Sequence, residues 1–339
     1  MISQRRLTPI LLIIIAVILG TRALQAVRPV VMPLAFAFLI AVLVHPMQAW
    51  LERRLPRWLS LGVVLLVLAA VVAGFAGLIE LSLELIEPKL PEYAQQAQTL
   101  VQAGQTWLKD HGLPTGQDSQ SSAFSQLFQQ ALGGAKTVLG SLSLFIMAVS
   151  FLSLLLLEVA QYRDRTLRAF PDGAGEKIVH AVSSMGQKLR RYFIVVTFTS
   201  SLTGVLTALW CLLLGVDLAF VWGLLGFVLN FIPTLGSLIA TAVPALVAAI
   251  FQGPAIGGAT LVGLGAIQNV LGNFVDPKLQ GKYLQLSPLV SLFSTVFWGW
   301  VWGIPGAFIG VPMTAALVLL ASEFPASQPI SVMLGNDDR

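Results

Sequence analysis

The chain has 339 residues, of which 56% are hydrophobic and 11% are charged, and its formal net charge is +4. An ordinary soluble domain carries about 25% charged residues, so a soluble fold could not cover this much apolar surface with so few charges. One crossing of a bilayer core needs about 20 mainly apolar residues, and such windows recur along the chain. The sequence therefore predicts an all-α polytopic membrane protein.

Several other classes of protein are excluded by the remaining composition. The basic residues lie in short loops between apolar stretches, so nucleic acid is not a predicted partner. The single cysteine, Cys211, leaves no disulfide framework. The motifs H-E-x-x-H, G-x-S-x-G and G-x-x-x-x-G-K, which mark metalloproteases, serine hydrolases and nucleotide-binding loops, do not occur. We therefore predict neither an enzyme nor a bound metal or cofactor.

Eight apolar regions follow one another along the chain. Six have the length of full transmembrane helices: residues 7–27, 29–44, 59–79, 137–158, 192–214 and 254–275. The other two, residues 217–251 and 288–320, are interrupted by proline and glycine. These regions divide the chain into three N-terminal spans (1–79), a polar segment (80–136), two spans with a basic loop (137–214, loop 159–191), a breaker-rich region (215–321) and a tail (322–339).

The lysines and arginines of the loops predict how these spans are oriented, because cytoplasmic loops are enriched in both residues. With a cytoplasmic N-terminus, 15 of the 20 basic residues fall on the cytoplasmic side, seven of them between residues 163 and 191. The segment 80–136 then lies outside the cytoplasm, and from Pro91 its pattern predicts an amphipathic helix. The loop 159–191 is predicted to form a helix pair at the interface, and the tail is cytoplasmic.

The first interrupted region, 217–251, is predicted to be a re-entrant helical hairpin, hairpin 1. Its apolar halves, 218–231 and 235–251, are each short for a full crossing. Pro233 cannot donate a helical hydrogen bond, and Gly236 gives the backbone freedom to turn.

Polar side chains cluster at the predicted tip of hairpin 1, namely Asn230, Thr234 and Ser237. A chain reversal at membrane depth needs groups that satisfy its backbone, so these residues either cap two half-helices or also contact a substrate, as in transporters with discontinuous helices.

The second interrupted region, 288–320, predicts a second hairpin, hairpin 2, with its break at Ile304, Pro305 and Gly306. Counting the spans places its entry on the cytoplasmic face, opposite to that of hairpin 1. Trp298, Trp300 and Trp302 alternate before the break, and an interfacial or gate-lining place is predicted for them. Two interrupted segments in one chain indicate a binding site near the bilayer midplane.

Between the hairpins, Asn269, Asn273 and Asp276 are spaced i, i+4 and i+7, with Gln268 beside them. On a regular helix they share one face. Such a stripe either holds helices together or forms hydrogen bonds to a hydroxylated solute.

Three stretches carry a resemblance to a known family: FIPTLGSLIATAVPA, NFVDPKLQGKYLQLSPLV and FWGWVWGIPGAFIGVPMT. With the span layout, they resemble the autoinducer-2 exporter family of bacterial inner-membrane proteins. The resemblance implies export of small signalling or metabolic solutes, hairpins that contribute to the substrate site, an elevator-like movement and homo-oligomers of five subunits. The family motifs map onto Asn230, Pro233, Thr234, Gly236, Asn273, Asp276, Pro305 and Gly306.

Three functions follow as hypotheses. The first is a secondary transporter or facilitator that exports a small polar, uncharged solute such as autoinducer-2, because amides and hydroxyls line the predicted site. The second is a sodium/proton antiporter with Asp276 as the titrating carboxylate. The third is a non-transporting membrane scaffold that acts through residues 80–136.

Overall fold

The computed structural model describes residues 15–16, 18–89, 142–170, 173–280 and 286–322, together with separate helical residues between 91 and 111. Nearly all of these residues are helical, and no strand occurs among them. The prediction of an all-α protein is confirmed.

Eleven helices are numbered here in chain order: α1 (described over 18–26), α2 (Arg28–Leu51), α3 (Arg57–Ile86), α4 (Leu142–Ala169), α5 (Ala174–Leu213), α6 (Ala219–Leu229), α7 (Leu235–Gln252), α8 (Pro254–Val270), α9 (Asp276–Gln280), α10 (Pro288–Trp302) and α11 (Ile304–Ser322). A 3-10 turn, Glu87–Lys89, extends α3, and a π-helical turn, Leu271–Val275, joins α8 to α9.

Six helical stretches among the described residues are long and apolar enough to span a membrane. They are Arg28–Leu51, Arg57–Lys89, Ala174–Leu213, Leu235–Gln252, Pro254–Val275 and Ile304–Ser322. Helix α4 adds a seventh if its two parts, Phe145–Val159 and Gln161–Ala169, which are bent by 62°, are counted as one span. The prediction of a polytopic membrane protein is confirmed. The first predicted span, 7–27, falls mainly outside the described residues.

Two predicted boundaries differ from the structure. The loop predicted over 159–191 consists largely of helix that continues the neighbouring spans, since α4 runs to Ala169 and α5 begins at Ala174. Helix α5 has 40 residues, about 60 Å at 1.5 Å per residue. In each interrupted region only the first helix is short, because α6 and α10 have 11 and 15 residues whereas α7 and α11 have 18 and 19.

Part of the polar segment 80–136 is helical in the structure. Helix α3 and its 3-10 turn carry the chain to Lys89. The hydroxyls of Thr99 and Thr106 donate to backbone carbonyls four residues earlier, at 3.0 and 2.9 Å. The residues of the predicted apolar face of this helix lie outside the described residues, as do residues 323–339; they are Ala97, Leu100, Val101, Gly104 and Leu108.

The chain folds into two compact units. Unit 1 comprises Met1–Leu65, Ser143–Phe193 and Lys282–Arg339. Its core combines α2, the first half of α5, α10 and α11, and its large buried side chains are Met32, Leu39, Met185, Leu189, Trp298, Trp302 and Ile309. The indole of Trp302 donates to the Leu24 carbonyl at 3.3 Å, which ties α10 to α1.

Unit 2 comprises Leu66–Leu142 and Ile194–Gly281. It therefore holds hairpin 1, the end of α5 and the following helices α8 and α9. A buried cluster joins Cys211 of α5, Trp222 of α6, Val247 and Ala248 of α7 and Leu264 of α8. Hairpin 2 belongs to unit 1, so a common site formed by both hairpins stays a prediction.

Candidate functional site

Helices α6 and α7 form hairpin 1, and residues 230–234 make its turn. Near the tip a Cβ on Gly236 would lie 1.8 Å from the Leu229 carbonyl oxygen. Trp222 and Val247, far from the tip on the two helices, meet in one buried cluster. The two arms are therefore antiparallel and in close contact. Gly236 serves this close approach rather than the chain reversal predicted for it, because it already lies in the first turn of α7.

The reversal itself is made at Thr234, which has φ +65° and ψ −57°. The amide of Leu235 donates to the carbonyl of Pro233 at 2.7 Å, so Thr234 is the central residue of a γ-turn of the rare, strained hand. A residue other than glycine in such a conformation costs on the order of 1–3 kcal/mol. The tip of hairpin 1 is therefore a strained backbone segment.

The tip is anchored to α5 by a side-chain hydrogen bond. The amide nitrogen of Asn230 donates to the hydroxyl of Ser200 at 3.0 Å, and Ser200 is fully buried. One helical turn further along, α5 and α6 are in close contact, since a Cβ on Gly204 of α5 would lie 2.8 Å from the carbonyl oxygen of Gly223 of α6. Small residues allow such close helix packing in membranes, and here they bring the polar tip to α5.

Asp276 reaches the neighbouring position on α5. Its carboxylate lies within interaction range of the hydroxyl of Thr199, the residue next to Ser200, and that hydroxyl donates to the Val196 carbonyl at 3.3 Å. The carboxylate oxygen Oδ1 is buried and has no hydrogen-bond partner among the described residues. An unpaired buried acceptor is uncommon in native proteins and calls for a partner. Asn230 and Asp276 thus lie beside the same turn of α5, each next to one of two adjacent hydroxyls, and we treat this group as the candidate polar site.

The predicted polar stripe on α8 and α9 is divided by the π-helical turn. Asn273 donates to the Asn269 side chain at 3.0 Å, and Asn269 donates to the Gly265 carbonyl at 3.0 Å. Both asparagines are exposed and Gln268 is half-buried. Asp276 follows the wider turn and contacts α5 instead. Asn269 and Asn273 therefore share one face. A regular helical period does not continue through Leu271–Val275, so the place of Asp276 on that face stays a prediction. Such π-turns are frequent at functional sites.

The base of hairpin 1 is held by polar contacts. Gln252 donates to the Gly215 carbonyl at 2.6 Å, and the indole of Trp222 donates to the Asp217 carbonyl at 2.8 Å. The side chain of Asp217 forms an ion pair with Lys89 at 2.8 Å. These bonds fix the base of hairpin 1 to the ends of α3 and α5, at the opposite end of the hairpin from the strained tip.

Hairpin 2 turns at Gly303, which has φ +74°. The predicted break residues Pro305 and Gly306 instead lie in the first turn of α11, where a missing proline N–H costs no helical bond. A Cβ on Gly306 would lie 2.0 Å from the Trp298 carbonyl oxygen. Gly306, like Gly236, therefore permits close contact between two hairpin arms.

The tryptophans of hairpin 2 do not share one environment. Trp298 and Trp302 are buried, with ring centroids 4.7 Å apart, whereas Trp300 is 62% exposed. The indole of Trp298 donates to the Thr314 hydroxyl at 3.0 Å and so links the two arms. Trp298 and Trp302 are core residues, because positions four apart on α10 face α11. The predicted interfacial place is therefore wrong for these two, whereas the gate-lining place stays a prediction.

Sequence reasoning missed the α5 partners of the site, Thr199 and Ser200. Both lie in an apolar stretch with further hydroxyls, Thr203 and Thr207, all of them buried. Thr199, Thr203 and Thr207 are spaced four residues apart and lie along one face of the helix, with Ser200 beside that face. That periodicity was the available signal.

The packed spans and the two helical hairpins define a multi-pass α-helical membrane protein with a buried polar site. The sequence model of AI-2E family transporters matches residues 9–324. The chain belongs to the AI-2E transporter family.

Relatives of known name are similar over nearly the whole length. The "AI-2 transport protein TqsA" of Escherichia coli strain K12 is 29% identical over 317 residues, which cover 91% of this chain and 90% of the relative. A "Putative transport protein" of Haemophilus influenzae is 28% identical over 338 residues, or 96% of both chains. Another from Borreliella burgdorferi is 25% identical over 328 residues, or 96% of this chain and 90% of the relative.

Proposed function

We propose that this protein is a secondary transporter or facilitator that exports a small polar, uncharged solute resembling autoinducer-2. The observation that carries the proposal is the polar site of unit 2, in which Asn230 at the tip of hairpin 1 and Asp276 meet adjacent hydroxyls of α5. Amide, hydroxyl and carboxylate groups are suited to a ligand with several hydroxyls, and the free Oδ1 of Asp276 is an acceptor for one of them. The similarity to TqsA supports the choice of solute.

Transport in proteoliposomes tests this proposal with a matched pair of serines. Ser200 is the partner of Asn230, whereas Ser201 is exposed and donates to the carbonyl of Thr197 on its own helix. We expect Asn230→Ala or Ser200→Ala to lower the rate of labelled autoinducer-2 efflux about tenfold, as the loss of one hydrogen bond of about 1.4 kcal/mol would do. Ser201→Ala should transport normally. Wild-type efflux by both site variants would refute the assignment of this site.

A sodium/proton antiporter is the second candidate function, and the unpaired oxygen of Asp276 favours it. A buried carboxylate oxygen without a donor is stabilised by a proton or by a small cation. In vesicles that carry a pH-sensitive dye, an antiporter would show sodium-dependent proton movement that Asp276→Asn abolishes. Solute efflux without any sodium-dependent proton movement would exclude this function and leave the exporter proposal in place.

For the mechanism we propose alternating access by movement of the hairpins, in a homo-oligomer of the bacterial inner membrane with both termini cytoplasmic. The strain at Thr234 supports movement of the tip, because strained segments are common in switching regions. Water access can be mapped in a Cys211→Ser background with cysteines at Thr234 and Ile304. Ile304 is chosen for hairpin 2 because a Cβ on the nearby Gly306 would lie 2.0 Å from the Trp298 carbonyl oxygen. Absence of labelling at both positions in all conditions would contradict hairpin gating.

A further inference from the structure

One end of unit 1 carries a concentration of arginine that the transport site does not use. It comprises the α2–α3 turn, residues 48–60, and the end of α4 with the residue that follows it, residues 156–170. Together these segments contain six arginines and three carboxylates, Glu52, Glu158 and Asp164. Arg53, Arg54, Arg163, Arg165 and Arg168 are exposed, and none of the five pairs with a carboxylate among the described residues. This end of the unit therefore has an uncompensated positive charge.

Hydrogen bonds hold the two segments at the same level. The buried side chain of Gln48 donates to the Leu156 carbonyl at 3.5 Å, and Arg57 donates to the carbonyl of Leu157. These two carbonyls lie in the last helical turn before α4 bends by 62°. The α2–α3 turn therefore lies beside the point at which α4 changes direction.

The bend places the arginines where a membrane surface is expected. Phe145–Val159 is the apolar part of α4, and Gln161–Ala169 leaves its axis immediately afterwards. A span tilted by about 20° from the bilayer normal and bent by a further 62° directs this arm away from the hydrocarbon core and along its boundary. Arg165 and Arg168 are three residues apart, on one exposed face of the arm.

Exposed aromatic rings occur at the same level. Trp50 and Trp58 are 53% and 71% exposed, and Tyr162 at the start of the arm is 51% exposed. The guanidinium of Arg54 lies 4.9 Å from the centroid of the Trp50 ring. Tryptophan and tyrosine next to arginine are typical of the lipid headgroup region. Both the charge and the aromatic side chains therefore indicate the same surroundings.

We propose that this basic rim, formed by the α2–α3 turn and the α4 arm, binds the headgroups of anionic phospholipids. Charge complementarity selects this partner, because exposed arginines without carboxylates attract the phosphate of a lipid with net negative charge more strongly than a zwitterionic headgroup. The rim is separate from the polar site of unit 2. The inference therefore does not depend on which solute the protein transports.

Native mass spectrometry of the purified full-length protein tests the proposal, with dioleoyl-phosphatidylglycerol and dioleoyl-phosphatidylcholine titrated as lipids of identical tails. We expect phosphatidylglycerol to be retained at severalfold lower concentration. Arg165→Gln/Arg168→Gln should weaken its retention by roughly 25-fold, since each of the two charges near the surface contributes roughly a fivefold change. Arg53→Gln/Arg54→Gln, in the other segment, should have a similar effect. Raised salt should weaken binding, because exposed charges are screened.

A matched control removes two exposed charges elsewhere, as Arg22→Gln/Lys109→Gln, and should leave retention unchanged. Size-exclusion profiles and thermal melting identify any variant that fails to fold, and the two rim pairs provide independent readings. Equal retention of the two lipids, or an equal loss in the control, would overturn the proposal. Displacement of the lipid by millimolar inorganic phosphate would assign the rim to free phosphate instead and would also overturn it.

Discussion

Arg190 satisfies a backbone carbonyl that a proline leaves without a helical partner. Pro46 lies inside α2 and has no N–H, so the carbonyl of Val42, four residues earlier, cannot accept its helical hydrogen bond. Arg190 of α5 donates to that carbonyl through both Nε and Nη2, each at 3.2 Å. Within a membrane, such freed backbone groups must be satisfied by the protein. We infer that Arg190 stabilises unit 1 by replacing the hydrogen bond that Pro46 removes.

The magnitude follows from the geometry. A hydrogen bond from a charged donor contributes about 1.5–3 kcal/mol, and the two bonds share one acceptor, so we count them once. Arg190→Ala should therefore lower the free energy of unfolding by about 2 kcal/mol. In a Pro46→Ala background the new amide of residue 46 can bond to Val42. There the same arginine change should cost less than about 1 kcal/mol.

Equilibrium unfolding in mixed detergent micelles measures all four proteins of this cycle. Lys188→Ala is the matched control, because Lys188 is a half-buried basic residue on the same helix with no polar partner among the described residues. Its effect should be small and equal in both backgrounds. The reasoning is refuted if Arg190→Ala costs the same with proline or alanine at position 46.

Two further predictions concern the hairpins. Thr234→Gly removes the strain of φ +65°, so we expect the melting temperature to rise. Solute efflux should fall, because the tip loses its fixed conformation. The control Ser237→Gly should lower the melting temperature, and a Thr234→Gly protein with an unchanged melting temperature would contradict the strain. Gly306→Ala should destabilise the protein by about 1–3 kcal/mol through overpacking. The control Gly74→Ala should be neutral or stabilising in the same melting assay, because a Cβ on Gly74 would have no neighbouring atom within 4 Å. Equal effects of the two substitutions would refute the close packing at Gly306.

The sequence predicted the hairpins because their signal is local. Proline and glycine inside apolar runs mark a break whatever the surroundings, so the turn of hairpin 1 lies where Pro233 predicted it. The turn of hairpin 2 lies at Gly303, just before the predicted residues. Glycine at φ +74° can reverse the chain, whereas Pro305 fits the first turn of a helix. Both are breakers by composition, and only backbone geometry distinguishes them.

The residues that complete the candidate site are not visible in this way. A serine inside an apolar helix can bond to a carbonyl of its own helix or to a side chain of another helix, and the sequence does not distinguish the two. Ser201 donates to the carbonyl of Thr197 on its own helix at 2.8 Å, whereas its neighbour Ser200 accepts a bond from Asn230 on another helix. The difference comes from which side of α5 faces hairpin 1.

The face of α5 that meets hairpin 1 is determined by glycine rather than by hydroxyls. Gly204 and Gly223 bring α5 and α6 so close that a Cβ on either would lie 2.8 Å from the other's carbonyl oxygen. This contact sets the rotation of α5, and the rotation directs Ser200, four residues before Gly204, toward the hairpin tip. Thr199 is then in reach of Asp276 on the adjoining side. The contact between Gly204 and Gly223 therefore indicates which side of α5 carries the polar site, and the hydroxyl residues alone do not.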